Sequence, residues 1–273
     1  MLRERKLSDL ILDRALYALA EMMRKRASKK DRFTHICVPM NDVIGMRLFS
    51  TGSFEQTQLD GVLDFLDEYP PDEDAIFLDV GGNIGVYSIL LRDRFKTVYS
   101  FEPNPVTFEI LKANLGLSGA RNVEAVNMAL SDRQDQVPIF IPRNGNLGWA
   151  TLDASHHDIA VDKVDIKCTT LDAFVEENQL DAARIKMIKI DVEGHETSVI
   201  SGGVETLAKH TTPLLCEVLS DESGADLIST LEALGYSRFE IFKRDVSKMF
   251  LTRVRREPFD VDKNGKAALV LAR

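Results

Sequence analysis

Long apolar runs are missing from this 273-residue chain. None approaches the ~18 residues that a membrane-spanning helix requires. Met1 is followed by a charged helical pattern and not by the apolar core of a secretory leader, so no such leader is expected. Cysteine is scarce. Cys37, Cys168 and Cys216 are scattered, odd in number and without metal-ligand spacing, which fits a reducing cytoplasm and small buried roles. Excess positive charge is also lacking: a formal net charge of −9 argues against a general affinity for nucleic-acid phosphates. Nor does the dinucleotide fingerprint G-x-G-x-x-G occur where a nucleotide turn is expected. What is left, 44% hydrophobic and 28% charged, is the composition of a globular protein. The length suits one α/β domain, here 51–273, preceded by an N-terminal helical arm and short strands over 1–50.

The chain is organised around 76–87, Ile-Phe-Leu-Asp-Val-Gly-Gly-Asn-Ile-Gly-Val-Tyr. An apolar run, then Asp79, a glycine cluster and a second apolar segment describe a buried parallel strand turning into its crossover helix. Gly81, Gly82 and Gly85 can take positive φ and leave no Cβ in a ligand's way. Asp79, at the strand's carboxyl end, is expected at the mouth of the crevice where open α/β sheets bind ligands. A second strand ends in Phe101-Glu102-Pro103-Asn104, with Glu102 23 positions after Asp79. A carboxylate there can accept hydrogen bonds from both hydroxyls of a ribose. Asn83 stands where a middle glycine would serve a pyrophosphate, so the pattern favours a nucleotide without one.

Upstream, Leu7, Leu10, Ile11, Leu16, Leu19, Met22 and Met23 fall near one helical face, and Arg24, Lys25, Arg26, Lys29, Lys30 and Arg32 follow. A solvated helix end is the preferred reading. An arm docking on a second copy of the chain, an anionic lipid surface or an acidic substrate is the alternative, with homodimerisation first among these. Short strands are expected over 35–39 and 43–49, and a helix over 54–66 opening on Gly52-Ser53-Phe54-Glu55. Strand and helix then alternate: strands 76–80, 97–101 and 122–126, helices 85–93 and 104–117. That rhythm predicts right-handed βαβ units and a parallel sheet. Ala129, after the third strand, leaves room for a flat ring. Residues 133–168 break the rhythm and read as a hairpin or lid; Trp149, the only tryptophan, is expected as a core anchor ahead of a substrate platform, and His156 and His157 as surface residues. Thr170 caps a helix to about Glu177. The last strands, 239–242, 249–254 and 267–271, are expected to close the sheet antiparallel, with a turn at Asn264-Gly265.

A second cluster of acids follows strand 184–190: Asp191-Val192-Glu193-Gly194-His195-Glu196. Glu196 reads as a helix-capping acid. Asp191, Glu193 and His195 together read as a site, and Glu217 ends the next apolar run. An acceptor hydroxyl must lose its proton to such a group, with Asp191 the first choice of general base and His195 and Glu193 the alternatives. A divalent ion on Asp191, Glu193 and Glu217 is a further option, though no metal site is assigned.

Phe77-Leu-Asp-Val-Gly-Gly-Asn-Ile-Gly, Phe101-Glu-Pro-Asn-Pro, Asn127-Met-Ala-Leu-Ser-Asp and Ile188-Lys-Ile-Asp-Val-Glu-Gly-His-Glu follow in the order and spacing of the FkbM methyltransferases. The resemblance covers about 50–220. Two positions depart from it: Gly82, where alanine is commoner, and His195, where a small residue is. It implies a Rossmann-like class I methyltransferase fold, a mostly parallel sheet with helices on both faces and an antiparallel C-terminal edge. It implies S-adenosylmethionine as donor, held by Asp79, Gly81, Asn83, Gly85, Glu102, Pro103, Ala129 and Asp191, and O-methylation of a sugar, glycan or polyketide-type hydroxyl. A nucleotide-dependent oxidoreductase lacks its glycine spacing here. A nucleic-acid methyltransferase would want a basic face and an Asn/Asp-Pro-Pro-aromatic motif. A binding or scaffold protein without turnover is the remaining alternative.

Overall fold

The computed structural model describes residues 36–39, 42–143, 147–152, 160–210, 212–219, 222–246, 252–260 and 267–273, together with Arg14 and Ala18. The N-terminal helix, its basic run, His156, His157 and the Asn264-Gly265 turn all lie outside these residues, apart from Arg14 and Ala18.

Among the described residues an eight-stranded sheet runs in the order β10-β9-β11-β8-β7-β1-β2-β3. Its parallel part is β1 (Ile76–Val80), β2 (Thr97–Phe101), β3 (Val123–Val126), β7 (Ile185–Ile190) and β8 (Leu214–Leu219). β9 (Phe239–Val246), β10 (Thr252–Pro258) and β11 (Ala267–Ala272) add an antiparallel edge. This is the α/β architecture expected of the sequence. Pleating sends alternate residues to opposite faces. Ile76, Leu78 and Val80 join one buried cluster with Ile188 and Ile190, while Phe77 and Met187 join the other. Asp79 and Lys189, paired in register, therefore project on the same face as Phe77 and Met187.

That second face is covered by α1 (Val43–Thr51), α2 (Gln56–Glu68), α3 (Val86–Leu91) and α4 (Pro105–Ser118), through Leu48, Leu59, Val62, Leu66, Ile89 and Leu111. The opposite face is covered by α5 (Leu171–Glu177), α6 (Glu196–Ser201), α7 (Val204–His210) and α8 (Glu222–Ala233). Thr170 caps α5 by accepting from the Ala173 amide, as expected. β4 (Ala129–Leu130), β5 (Asp135–Pro142) and β6 (Val161–Thr169) form a separate three-stranded sheet of order β4-β6-β5, in which the antiparallel β5 and β6 are the arms of the hairpin expected within 133–168.

Two expectations fail. Residues 43–49 form a helix and not a strand, because Asp42 accepts from the Ile44 and Gly45 amides at one end and Gly52, at φ 70°, closes the other. Residues 36–39 form no strand; the Cys37 amide instead donates to the Asn114 side chain at 2.5 Å. Among the described residues no helix is long and apolar enough to cross a membrane.

Candidate active site

The chain leaves β3 on one side of the sheet and returns through β7 on the other, so β1 and β7 flank the point where strand order reverses. Ligands collect at such a crevice, beyond the carboxyl ends of the strands. Here it opens as a cavity of about 1200 Å³, counting its mouth, lined by the exits of β1, β2, β3 and β7 together with the start of α2 and the turn at 147–152.

One wall is built from backbone. The Gly81 and Gly82 amides both donate to the Phe101 carbonyl, at 3.1 and 2.8 Å, folding the glycine turn over the end of β2. Gly81 sits at φ +79°, and a Cβ there would stand 1.9 Å from the Asp191 carbonyl, so the exits of β1 and β7 touch only because it is glycine. Glu102 is 6% exposed, and its two carboxylate oxygens accept from the Asn83 amide at 3.0 Å and the Asn104 amide at 2.8 Å. Each oxygen keeps a further lone-pair direction, enough for a pair of ribose hydroxyls. Burial raises its proton affinity, the Asn104 and Asn83 amides and Lys189 oppose that, and its pKa stands at about 7. Ala129 lies beside Met128, Leu130 and Pro103 in an apolar stretch of the wall.

The opposite wall is built from charge. Lys189 is 3% exposed, 3.0 Å from Asp191 and 3.7 Å from Asp79, with its ammonium 5.0 Å from the centre of the Tyr87 ring. Burial disfavours its charge, yet Asp191, Asp79 and Glu55 outweigh this and hold it more firmly protonated than an ordinary lysine. The Tyr87 hydroxyl donates to Glu55 at 2.8 Å. Burial, then Asp191, raise the Glu55 pKa. Glu193 occupies a left-handed backbone conformation, φ 53°, a strained arrangement for a non-glycine residue. Burial pushes its carboxyl up to about 8, with Asp191 and Glu196 adding to the effect. The Thr151 hydroxyl donates to the Glu193 carbonyl at 2.9 Å and fastens the 147–152 turn to this wall. Glu217, also lining the cavity, is pushed to about 9 by burial and then by Asp191 and Glu193.

Asp79, expected at the mouth, is fully buried beneath the cavity. It accepts from the Ser88 amide at 3.0 Å and the Ser88 hydroxyl at 2.6 Å, and pairs with Lys189. It positions the lysine and the start of α3 and does not line the cavity. Gly85 is likewise outside the lining; at φ +92° it turns the chain into α3, and a Cβ there would meet Leu111 at 2.8 Å. Gly81, Asn83, Glu102, Pro103, Ala129, Asp191, Glu193 and His195 all line the cavity. His195 Nε2 lies 2.9 Å from the Ser131 hydroxyl. Glu196 accepts from the Val192 and Gly194 amides and so shapes the 191–194 loop. Trp149 is no core anchor: it is half exposed, on the cavity rim, because the 3-10 turn carrying it is held from below by Asp42 and Thr151. Sequence reasoning missed Lys189 and Tyr87, whereas the Gly52-Ser53-Phe54-Glu55 helix start, expected from sequence to be able to cover the methionine end of a bound nucleotide, brings Phe54 and Glu55 into the lining. The one signal for Lys189 was a lysine inside the apolar run Met-Ile-Lys-Ile. Among the described residues no group of three or more histidine, cysteine or acidic side chains is arranged to hold a metal.

A family model described as the methyltransferase FkbM domain matches residues 79–238, more than half of the chain. The chain belongs to the FkbM methyltransferase family. The matched span of this FkbM domain includes the glycine turn, Glu102, the acids at the exit of β7 and Glu217, and leaves out Glu55. Methyltransferase 1 of Beauveria bassiana is 27% identical over 153 residues, 50% of this chain and 61% of that protein. The hexuronic acid methyltransferase AglP of Haloferax volcanii is 29% identical over 140 residues, 50% of this chain and 53% of that protein. The FkbM chain thus spans between half and two thirds of the length of these relatives. A solved structure, methyltransferase FkbM of Methylobacillus flagellatus, is 14% identical, covers 92% of this chain and 60% of its own, and superposes with a TM-score of 0.42.

Proposed function

We propose that the protein transfers a methyl group from S-adenosylmethionine to a hydroxyl of a small molecule, a sugar, glycan or polyketide-type product. The observation that carries this reading is the single cavity joining the glycine turn and Glu102 to the acids at the exit of β7. The name of the haloarchaeal relative, a hexuronic acid methyltransferase, supports a sugar as acceptor.

The donor fits the wall that would hold it. Gly81, lacking a Cβ, lets the exits of β1 and β7 meet at the cavity, Glu102 offers paired carboxylate oxygens, and Ala129 with Met128, Leu130 and Pro103 supplies an apolar slot for an adenine. S-adenosylmethionine, when bound, supplies an electrophilic methyl on a cationic sulfonium. The surplus of carboxylates over the single lysine among the described lining residues suits that charge. The chain's own task is alignment and proton removal.

Glu193 is the better general base than Asp191. Asp191 shares its charge with Lys189 at 3.0 Å, whereas Glu193, at a pKa of about 8, binds a proton far more tightly than an ordinary carboxylate. Asp191 and Lys189 would orient the acceptor hydroxyl, and Glu193 would take its proton. A donor-binding scaffold without turnover would need no such base. Methyl transfer from labelled donor to a panel of sugars and polyketide alcohols, followed by Glu193→Gln, tests the reading: transfer that the variant abolishes supports it, and donor binding with transfer unaffected by the variant contradicts the assignment of the base.

A further inference from the structure

Resting on the reading of this cavity as a methyl-transfer site, we infer that His195, Ser131 and Asp132 form a relay that carries the acceptor's proton from the cavity to solvent. His195 lines the cavity at the N-cap of α6, and its side chain makes no capping bond there. Its Nε2 instead lies 2.9 Å from the Ser131 hydroxyl. Ser131 is 1% exposed, and its amide donates to the Thr169 carbonyl at 2.8 Å, which fixes it just past β4. The hydroxyl donates onward to Asp132 Oδ1 at 3.1 Å. A serine hydroxyl has one proton to give, so with that proton on Asp132 it accepts from the ring, and Nε2 is the donor. Asp132 is exposed, with the Arg133 guanidinium donating to the same oxygen at 3.0 Å. One buried hydroxyl thus joins a cavity-lining imidazole to a carboxylate in solvent.

The chemistry needs such an exit. The acceptor's O–H bond breaks as its oxygen gains the methyl, and the proton passes to Glu193. Burial gives that carboxyl a pKa of about 8, so near neutral pH it holds the proton and is not ready for a second turnover. While both products fill the cavity, they stand between Glu193 and the water at its mouth. His195 lies two positions further along the same loop and lines the same cavity. Taking the proton at Nδ1, the ring becomes an imidazolium. Its Nε2 proton then passes to Ser131 as that hydroxyl's own proton passes to Asp132, and from Asp132 to water. One proton enters the chain and one leaves it, and exchange with water restores the starting tautomer between turnovers.

Two measurements test the relay, and the first needs no acceptor. Long-range proton–nitrogen spectra read which ring nitrogen of a neutral histidine carries the proton, with His195→Gln picking out its signals among the five histidines. The wild type is expected to hold the Nε2–H tautomer, and Ser131→Ala to lower its share. A wild-type ring protonated on Nδ1 with Nε2 bare would make Ser131 the donor to the ring and overturn the relay. The second measurement uses Asp132→Asn, which keeps an oxygen for the Ser131 hydroxyl but takes up no proton, so a merely structural contact survives it. With labelled S-adenosylmethionine and the best alcohol of the panel above, steady-state turnover should fall at least about 10-fold. In rapid-quench assays the first turnover should fall less than later ones, because Glu193 still accepts the first proton. Turnover equal to the wild type, or equal losses in the first and later turnovers, overturns the inference. A wild type that binds the donor but methylates no alcohol sinks the methyltransferase reading instead, and leaves the tautomer result standing.

Discussion

The two walls of the cavity are made of different materials. The donor wall is backbone: two glycine amides on the Phe101 carbonyl, two amides on Glu102, and a small residue at position 129. The facing wall is side-chain charge: one buried lysine, Asp191 and three glutamates whose proton affinities are raised by burial and proximity, with Asp79 beneath them. Backbone groups cost little to hold in place and bind any ligand of the right shape. Charges removed from water are costly unless paired, and they discriminate by sign. The first wall therefore suits an invariant donor, and the second suits chemistry and choice of acceptor.

The largest expected effect falls on the charged wall. Glu193→Gln should lower kcat by about 10²- to 10⁴-fold while leaving donor affinity nearly unchanged, the split expected of a proton acceptor. Equal losses in donor affinity and in turnover would merge the two walls into one. Next is Lys189→Met, which leaves Asp79 and Asp191 facing each other across a buried gap. The expected loss is about 3–5 kcal/mol in denaturant unfolding, because one charge of a buried network is left uncompensated. A change no larger than that of a surface lysine would show that the lysine is not the keystone of the wall.

On the donor wall, Glu102→Gln keeps the shape but loses the charge, and should weaken S-adenosylhomocysteine binding by about 10- to 100-fold, with the fold intact by circular dichroism. The smallest effect is on pH dependence. Glu102, Glu193 and Glu217 have pKa values raised to about 7, 8 and 9, so the folded chain holds protons that the unfolded chain has released. Their stabilisation is complete below the ordinary carboxylate range and is lost as pH rises through about 7 to 9. Thermal unfolding should fall over that range, and Glu217→Gln should flatten its upper part.

The same division explains what could be read from sequence. β1 and β2 match their expected bounds because apolar runs ending in an acid and a glycine cluster admit few alternatives. The glycine turn, Glu102 and Ala129 reach the cavity for the same local reasons. Asp79 was misplaced because a strand end shows the pleat but not which neighbour waits there; Ser88 and Lys189 claim it. Lys189 itself looks like a solvent-facing residue until β1 is laid beside β7. The 43–49 helix had its caps, Asp42 and Gly52, in plain view, and its apolar content obscured them. Trp149 owes its exposure to a turn pinned by Asp42 and Thr151, long-range contacts that periodicity does not carry.

Isothermal titration of S-adenosylhomocysteine into the wild-type chain and into Glu102→Gln tests the central claim most directly. The account predicts one site per chain in the wild type and an affinity at least about 10-fold weaker in the variant. Absence of binding to the wild type, or equal affinity in both, would contradict it.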